Sequence, residues 1–186
     1  MIDHAIGGII EALEAKGILD NTWIIYSSDH GEMAGDHRLS HKGVFYDMAV
    51  RVPLVVRPPG GQAGWISEGL MDCLNITATI LDVAGAESLE DSDGVSFVSQ
   101  VLAGPDADGA QKGKDAVFSE VDGFTMVFDG QYKLVVESAS EKPVEMYDCQ
   151  NDPCELNNVF EDPVLESVRR DLIDTHLRGI NIWNYA

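Results

Sequence analysis

The sequence predicts an α/β fold that passes into a small antiparallel sheet closed by a C-terminal helix, and three observations carry that expectation. Apolar residues recur at helical spacing in two stretches, each ended by a glycine. Between those stretches lie two short runs rich in β-branched residues, TWIIYSS and VPLVV. Beyond a polar, glycine-rich segment come three more runs of strand length, two of them joined by an Asp-Gly pair.

Each element follows in order. Ile2, Ile6, Ile9, Ile10 and Leu13 recur three and four apart, and Gly17 stands where a helix C-terminal cap belongs, so the chain opens on an amphipathic helix. Asp20-Asn21 turns the chain into TWIIYSS, a strand. VPLVV is the second strand and stops at Arg57-Pro58-Pro59-Gly60-Gly61, an emphatic breaker. Ile76, Ile80, Leu81 and Ala84 form a second helical stripe closed by Gly85. Helix, strand, strand and helix with short links indicate an α/β arrangement.

Residues 104–115, GPDADGAQKGKD, read as a linker or exposed crossover. The runs AVFSEV, FTMVFDG and QYKLVVE then read as strands. Asp129-Gly130 places a hairpin between the last two, so pairing there is expected to be antiparallel, unlike in the first part. A final helix over 163–177 carries Val164, Leu165, Val168, Leu172 and Ile173 on one face. The expected division is a core segment over 1–110 and an antiparallel-sheet subdomain with its terminal helix over 111–186.

Composition narrows the function classes. Twelve basic residues face 32 acidic ones, giving a net charge of −20, which repels nucleic acid and anionic membranes at long range. An anion handled by so acidic a chain needs a local positive site. No apolar run approaches the ~20 residues of a membrane span, and the opening MIDHAIGGII has no basic n-region or small-residue cleavage site. The chain as it stands is therefore expected in the cytoplasm. Its three cysteines form no Cys-x-x-Cys and read as free thiols of a reducing compartment.

Chemistry concentrates in residues 24–43, IIYSSDHGEMAGDHRLSHKG, where acids, three histidines and a lysine follow a short apolar strand. Asp29 and His30 come directly after that strand, where open α/β sheets bind ligands. Side by side they offer an oxygen and a nitrogen donor to a divalent cation; a solvated turn with a capping Asp is the other reading. Two ligands are fewer than a Ca²⁺ or catalytic Zn²⁺ site requires, so either further donors come from elsewhere or no metal binds here. Lys42, followed by Gly43, reads as an anion contact or as a surface lysine, and His37 and His41 read as exposed. Asp36 and Glu32 solvate the loop or hydrogen-bond within it.

The run NTWIIYSSDHGEMAGDHRLSHKGVFYDMAVRVPLVVRPPG resembles the late metal-binding segment of sulfatases in the alkaline phosphatase superfamily. That segment reads strand, Ser-Asp-His/Asn-Gly-Glu, loop, Lys-Gly, then Arg-x-Pro-Leu. Gly35-Asp36-His37 is similar to the arylsulfatase, choline-sulfatase and phosphonate monoester hydrolase branches. NITATILDVAG resembles the family's Asp-Ile-x-Pro-Thr-Leu-Leu-Asp-x-Ala-Gly helix, with Asn75 for the Asp and Ala78 for the Pro. DGVSFVSQVLAG resembles its Asp-Gly-x-Ser-Leu segment. DGQYKLVV and EMYDCQNDPCELNNV resemble the C-terminal sheet and its Leu-Tyr-Asp-x-x-x-Asp-Pro-x-Glu-x-x-Asn signature.

The resemblance implies a partial alkaline-phosphatase-like sheet layered with helices, followed by the small antiparallel sheet and C-terminal helix. It implies divalent-metal-dependent hydrolysis of a sulfuric ester, with a sulfate-ester small molecule or sugar as substrate. Asp29 and His30 then coordinate the cation, Ca²⁺ first with Mn²⁺ and Mg²⁺ as alternatives. Lys42 is the implied catalytic contact to the sulfate or leaving-group oxygen, and Arg51 is implied to be structural.

The family's Cys- or Ser-x-Pro/Ala-x-Arg motif, whose first residue becomes the formylglycine nucleophile, is absent from these 186 residues. The cysteines sit instead in DCLNI, DCQND and PCELN, so no nucleophile is assigned. The chain thus resembles the C-terminal part of a sulfatase and is expected to be inactive alone. Two other readings share its residues: a phosphate or phosphonate ester hydrolase of the same superfamily, and a non-catalytic module that binds metal or protein. An uncovered apolar face and sheet edge lead to an expected homo-oligomer, pairing with a missing N-terminal half, or rearrangement of the first helix to cover the face.

Overall fold

The computed structural model describes residues 1–60, 64–106 and 113–178. Its elements are α1 (Ile2–Ala15), β1 (Ile24–Ser27), α2 (Asp47–Val50), β2 (Leu54–Arg57), α3 (Cys73–Ala84), α4 (Val98–Ala103), β3 (Val117–Val121), β4 (Phe124–Phe128), β5 (Tyr132–Glu137), β6 (Lys142–Asp148) and α5 (Glu166–Leu172). The fold is mixed α/β, with a small four-stranded antiparallel sheet and a C-terminal helix. Much of the stretch expected to be a linker lies outside the described residues. No helix among the described residues is long and apolar enough to cross a membrane. The described residues form two compact units.

The first unit draws on Met1–Ser28, Pro53–Glu68 and Leu74–Lys112. Helix α1 ends as its sequence predicts: Gly17 adopts φ 68, its N–H reaches Glu14 O at 2.8 Å, and Ile18 N reaches Leu13 O at 3.1 Å. This paired closure satisfies the last carbonyls, and glycine alone takes the left-handed turn without a Cβ penalty. β1 and β2 pair antiparallel, Ile24 opposite Arg57 and Ser27 opposite Leu54, which corrects the expectation that such pairing is confined to the second part. The intervening chain offers one four-residue helix and no long crossover helix, so it turns back on itself.

Along α3, Thr79 Oγ1 donates to Asn75 O at 2.7 Å and accepts from Phe97 N at 3.1 Å. Asn75, 2% exposed, donates from Nδ2 to Val95 O at 2.8 Å. A Cβ on Gly94 would lie 2.4 Å from Leu74 O, so only glycine lets the 94–97 segment lie so close to the helix.

The second unit comprises Asp29–Val52, Gly69–Cys73 and Gly113–Ala186, and so takes in two segments from the part assigned above to the core. Strands β3 to β6 pair antiparallel in sequence order, with a register shift between Val135 and Val136. Two Asp-Gly turns join them. Asp122 and Gly123 both take positive φ between β3 and β4. Between β4 and β5, Asp129 Oδ1 accepts from Gln131 N at 2.9 Å and Tyr132 N at 2.7 Å.

Side-chain alternation gives this sheet two covered faces. Val127, Leu134, Val136 and Met146 pack with Leu172 and Leu177 of the C-terminal helical segment. Met126 and Val135 face the other way, onto Phe45, with Val50 and Phe128 against them. The helix expected over 163–177 begins as a 3-10 turn at Pro163–Leu165, where Asp162 accepts from Val164 N at 2.9 Å, and ends in a π turn at Ile173–Leu177. Three elements were not anticipated. β6 contains Pro143 and alternating charges that hide its strand character, α2 is only four residues long and α4 only six.

Candidate metal and anion site

Asp29 and His30 open the second unit, separated from the end of β1 by Ser28 alone. Their turn is seated on α2: Gly31 N donates to Ala49 O at 2.8 Å. A Cβ at Gly31 would fall 1.9 Å from Met48 O, so glycine is the residue that permits this approach.

The imidazole of His30 is oriented by its own backbone. Nδ1 lies 2.7 Å from Gly31 O, and because a carbonyl only accepts, the ring proton sits on Nδ1. Nε2 is thereby left as a lone pair. It points to Lys42 Nζ, with which it makes a close hydrogen bond, and lies 3.5 Å from Asp29 Oδ2. Asp29 itself is solvent-facing. The His30 backbone N–H at 3.0 Å, followed by the His30 ring, holds its carboxyl below the usual carboxylate range.

The loop from residue 31 to 42 returns Lys42 to His30 through two closures. Met33 N donates to His41 O at 2.9 Å, and the Glu32 carboxylate accepts from His41 N. Met33, fully buried, anchors the loop. Ala34, His37, Arg38 and His41 all take positive φ, between 48° and 69°. Left-handed non-glycine residues are uncommon, and their clustering marks a loop held by its surroundings, as at ligand clamps.

The structure therefore brings Asp29, His30 and Lys42 together. Glu32 hydrogen-bonds within the loop, as expected. His37 is not simply exposed: its ring stacks on Tyr46 with centroids 3.8 Å apart and 12° between planes. Arg51 is an exposed helix-end residue pairing with Asp47 at 3.4 Å.

An anionic carboxylate oxygen beside an imidazole lone pair is a donor set that fits a divalent cation. It fits as two ligands of a larger shell. Among the described residues no group of three or more His, Cys, Asp or Glu gathers to hold a metal ion.

The sulfatase family model matches residues 1–86. The chain is 32% identical over 184 residues to the uncharacterized sulfatase YidJ of Escherichia coli K12, a match covering 95% of this chain and 35% of the relative. The chain belongs to the sulfatase family of the alkaline phosphatase superfamily. Among solved structures, this sulfatase-family chain superposes on the phosphonate monoester hydrolase of Agrobacterium radiobacter with a TM-score of 0.83 and 32% identity, over 95% of this chain and 38% of that one. It superposes on BT4656, solved with its substrate D-glucosamine-2-N,6-O-disulfate, with a TM-score of 0.82 and 27% identity, over 96% of this chain and 38% of that one. The chain spans about a third of the length of the curated relatives it matches.

One cluster of the second unit escaped sequence reading. Lys133, Glu155 and Asp47 form a buried ionic group, with Tyr46 and Tyr147 nearby, their hydroxyls 3.4 Å apart. The signal was a lysine inside the apolar strand QYKLVVE.

Proposed function

We infer that this chain supplies the Asp-His metal contacts and the lysine anion contact of a divalent-metal-dependent sulfuric ester hydrolase. The observation that supports this most is the convergence of the His30 Nε2 lone pair, the Asp29 carboxylate and the Lys42 ammonium. Asp29 and His30 would hold the cation, Ca²⁺ first with Mn²⁺ or Mg²⁺ as alternatives. Such a cation, when bound, supplies Lewis-acid stabilisation to an anionic oxygen. Lys42 places a positive charge where a sulfate or leaving-group oxygen gains negative charge as the ester bond breaks. Gly31 O keeps the His30 proton on Nδ1 and so keeps Nε2 available as a ligand. The substrate is a sulfate ester, and a sulfated sugar suits it by analogy with BT4656. These 186 residues contain no Cys- or Ser-x-Pro/Ala-x-Arg motif, so the chain by itself hydrolyses no ester.

A second reading, hydrolysis of a phosphonate or phosphate ester, draws on the likeness to the phosphonate monoester hydrolase. The test joins this chain to the formylglycine-bearing segment of a sulfatase relative and compares 4-nitrophenyl sulfate with 4-nitrophenyl phenylphosphonate. Faster sulfate turnover that disappears in Lys42→Ala supports the inference. Preference for the phosphonate replaces it with the second reading, and turnover indifferent to Lys42 and Asp29 removes both.

A further inference from the structure

We propose that Lys133, Glu155 and Asp47 are positioning residues for the site: a buried brace that fixes α2 and, through it, the turn carrying Asp29 and His30. The proposal rests on the functional reading above. Strand alternation puts Lys133 on the sheet face covered by Phe45 and Val50, since Val135 of the same strand lies there. Its ammonium, 1% exposed as a residue, lies 2.5 Å from Glu155 Oε1 and 2.6 Å from Asp47 Oδ1.

Glu155 has a second task. Its other oxygen, Oε2, accepts from the backbone N–H of Asp47 at 2.7 Å, at the first residue of α2. The helix's own N-cap residue, Tyr46, makes no side-chain capping hydrogen bond, and this cap reaches it from 108 residues along the chain. Four residues are too few to hold a helix by internal hydrogen bonds alone. The brace therefore fixes where α2 starts, and buried Ala49 presents at its far end the carbonyl that seats Gly31.

The linkage runs from the Lys133 ammonium through Glu155 to the Asp47 amide, then through α2 to Gly31 and the His30 ring. A charge pair that served only stability could be exchanged for apolar residues without consequence. This one also aims a helix, so the two roles separate by experiment.

Removing Lys133 alone leaves Glu155 uncompensated and Asp47 with only the exposed Arg51, so the chosen variant is Lys133→Met with Glu155→Gln, which discharges the buried pair. Long-range ¹H–¹⁵N correlation spectra of the imidazole rings report the result. In the parent, His30 shows one tautomer, with the proton on Nδ1 and Nε2 accepting from Lys42. In the double variant, folded by circular dichroism, that pattern is lost to an averaged one while His4 and His176 keep theirs. An unchanged His30 pattern in the folded double variant overturns the proposal. Should that variant not fold, Glu155→Gln decides, because Asp47 still pairs Lys133, and an unchanged His30 there overturns it equally. The readout needs neither cation nor ester. Absent hydrolysis by the protein joined to a formylglycine-bearing segment would therefore sink the functional reading and leave this proposal standing, and an unchanged ring would do the reverse.

Discussion

Gly31 and Ala49 are joined by a backbone hydrogen bond of 2.8 Å, and it is this contact that sets the Asp29–His30 turn on α2. With Met48 O 1.9 Å from where a Cβ would sit, Gly31→Ala must push the turn or the helix aside. The expected cost is about 1–3 kcal/mol by urea unfolding, as for other overpacked sites, accompanied by disturbance of the His30 ring signals. A variant as stable as the parent with an unaltered His30 would show that the seat is not tight.

Asp29→Ala is expected to leave stability nearly unchanged, because the carboxylate is exposed. Titration with Mn²⁺ followed by calorimetry or electron paramagnetic resonance should lose whatever binding the parent shows. Unfolding of the variant would make Asp29 a structural residue and remove its assignment as a ligand.

Lys133→Met tests the brace for stability. With Glu155 3% exposed and Asp47 partly buried, the substitution strands Glu155 without a counter-charge and leaves Asp47 only the exposed Arg51, 3.4 Å away. A loss of about 3–5 kcal/mol is expected, measured as a lower denaturant midpoint. Adding Glu155→Gln should recover part of it. A single variant within ~1 kcal/mol of the parent would show that water or side-chain movement compensates the charges.

Cys149 should be the slow thiol. Burial pushes it up to about 12, with Glu155 and Asp47 adding to the rise and Lys133 opposing it. At pH 8 roughly one molecule in ten thousand then carries the thiolate, so maleimide should label exposed Cys73 and Cys154 well before Cys149. The linkage sign follows: the folded value lies above the ordinary 9.0, so this thiol's contribution to stability is complete below pH 9 and is lost as pH climbs toward 12. Equal labelling of all three thiols in the folded protein would contradict this.

α1 buries none of its residues, and Ile2 and Ile9 are more than half exposed. Sedimentation velocity is expected to show self-association that Ile2→Glu with Ile9→Glu reduces, because an apolar helical stripe left in water gains by pairing. A parent sedimenting as a compact monomer would refute that.

The sequence made legible whatever a local rule decides. Gly17 closes α1 because only a left-handed residue suits that cap, and Asp129-Gly130 turns β4 into β5 because the Asp129 carboxylate holds the amides of Gln131 and Tyr132. The Asp29, His30 and Lys42 group emerged from a motif read against a family, and the geometry brings the three together. What stayed hidden depends on contacts distant in sequence. Nothing near Asp47 signals that Glu155 caps it, and the antiparallel pairing of β1 with β2 follows from a connection that periodicity cannot see. Asp122-Gly123 was an available signal, the same dipeptide as the later turn, and it marks the β3–β4 hairpin.

Lys133 stands in β5 beside Leu134, whose side chain points into the apolar face with Val127, Met146 and Leu172. If β5 slipped by one position against β4, the ammonium would enter that greasy layer, where no acceptor waits and the desolvation cost is several kcal/mol. Only the native alignment delivers it to both carboxylates. The lysine thus makes a one-residue shift of β5 against β4 costly in the folded sheet.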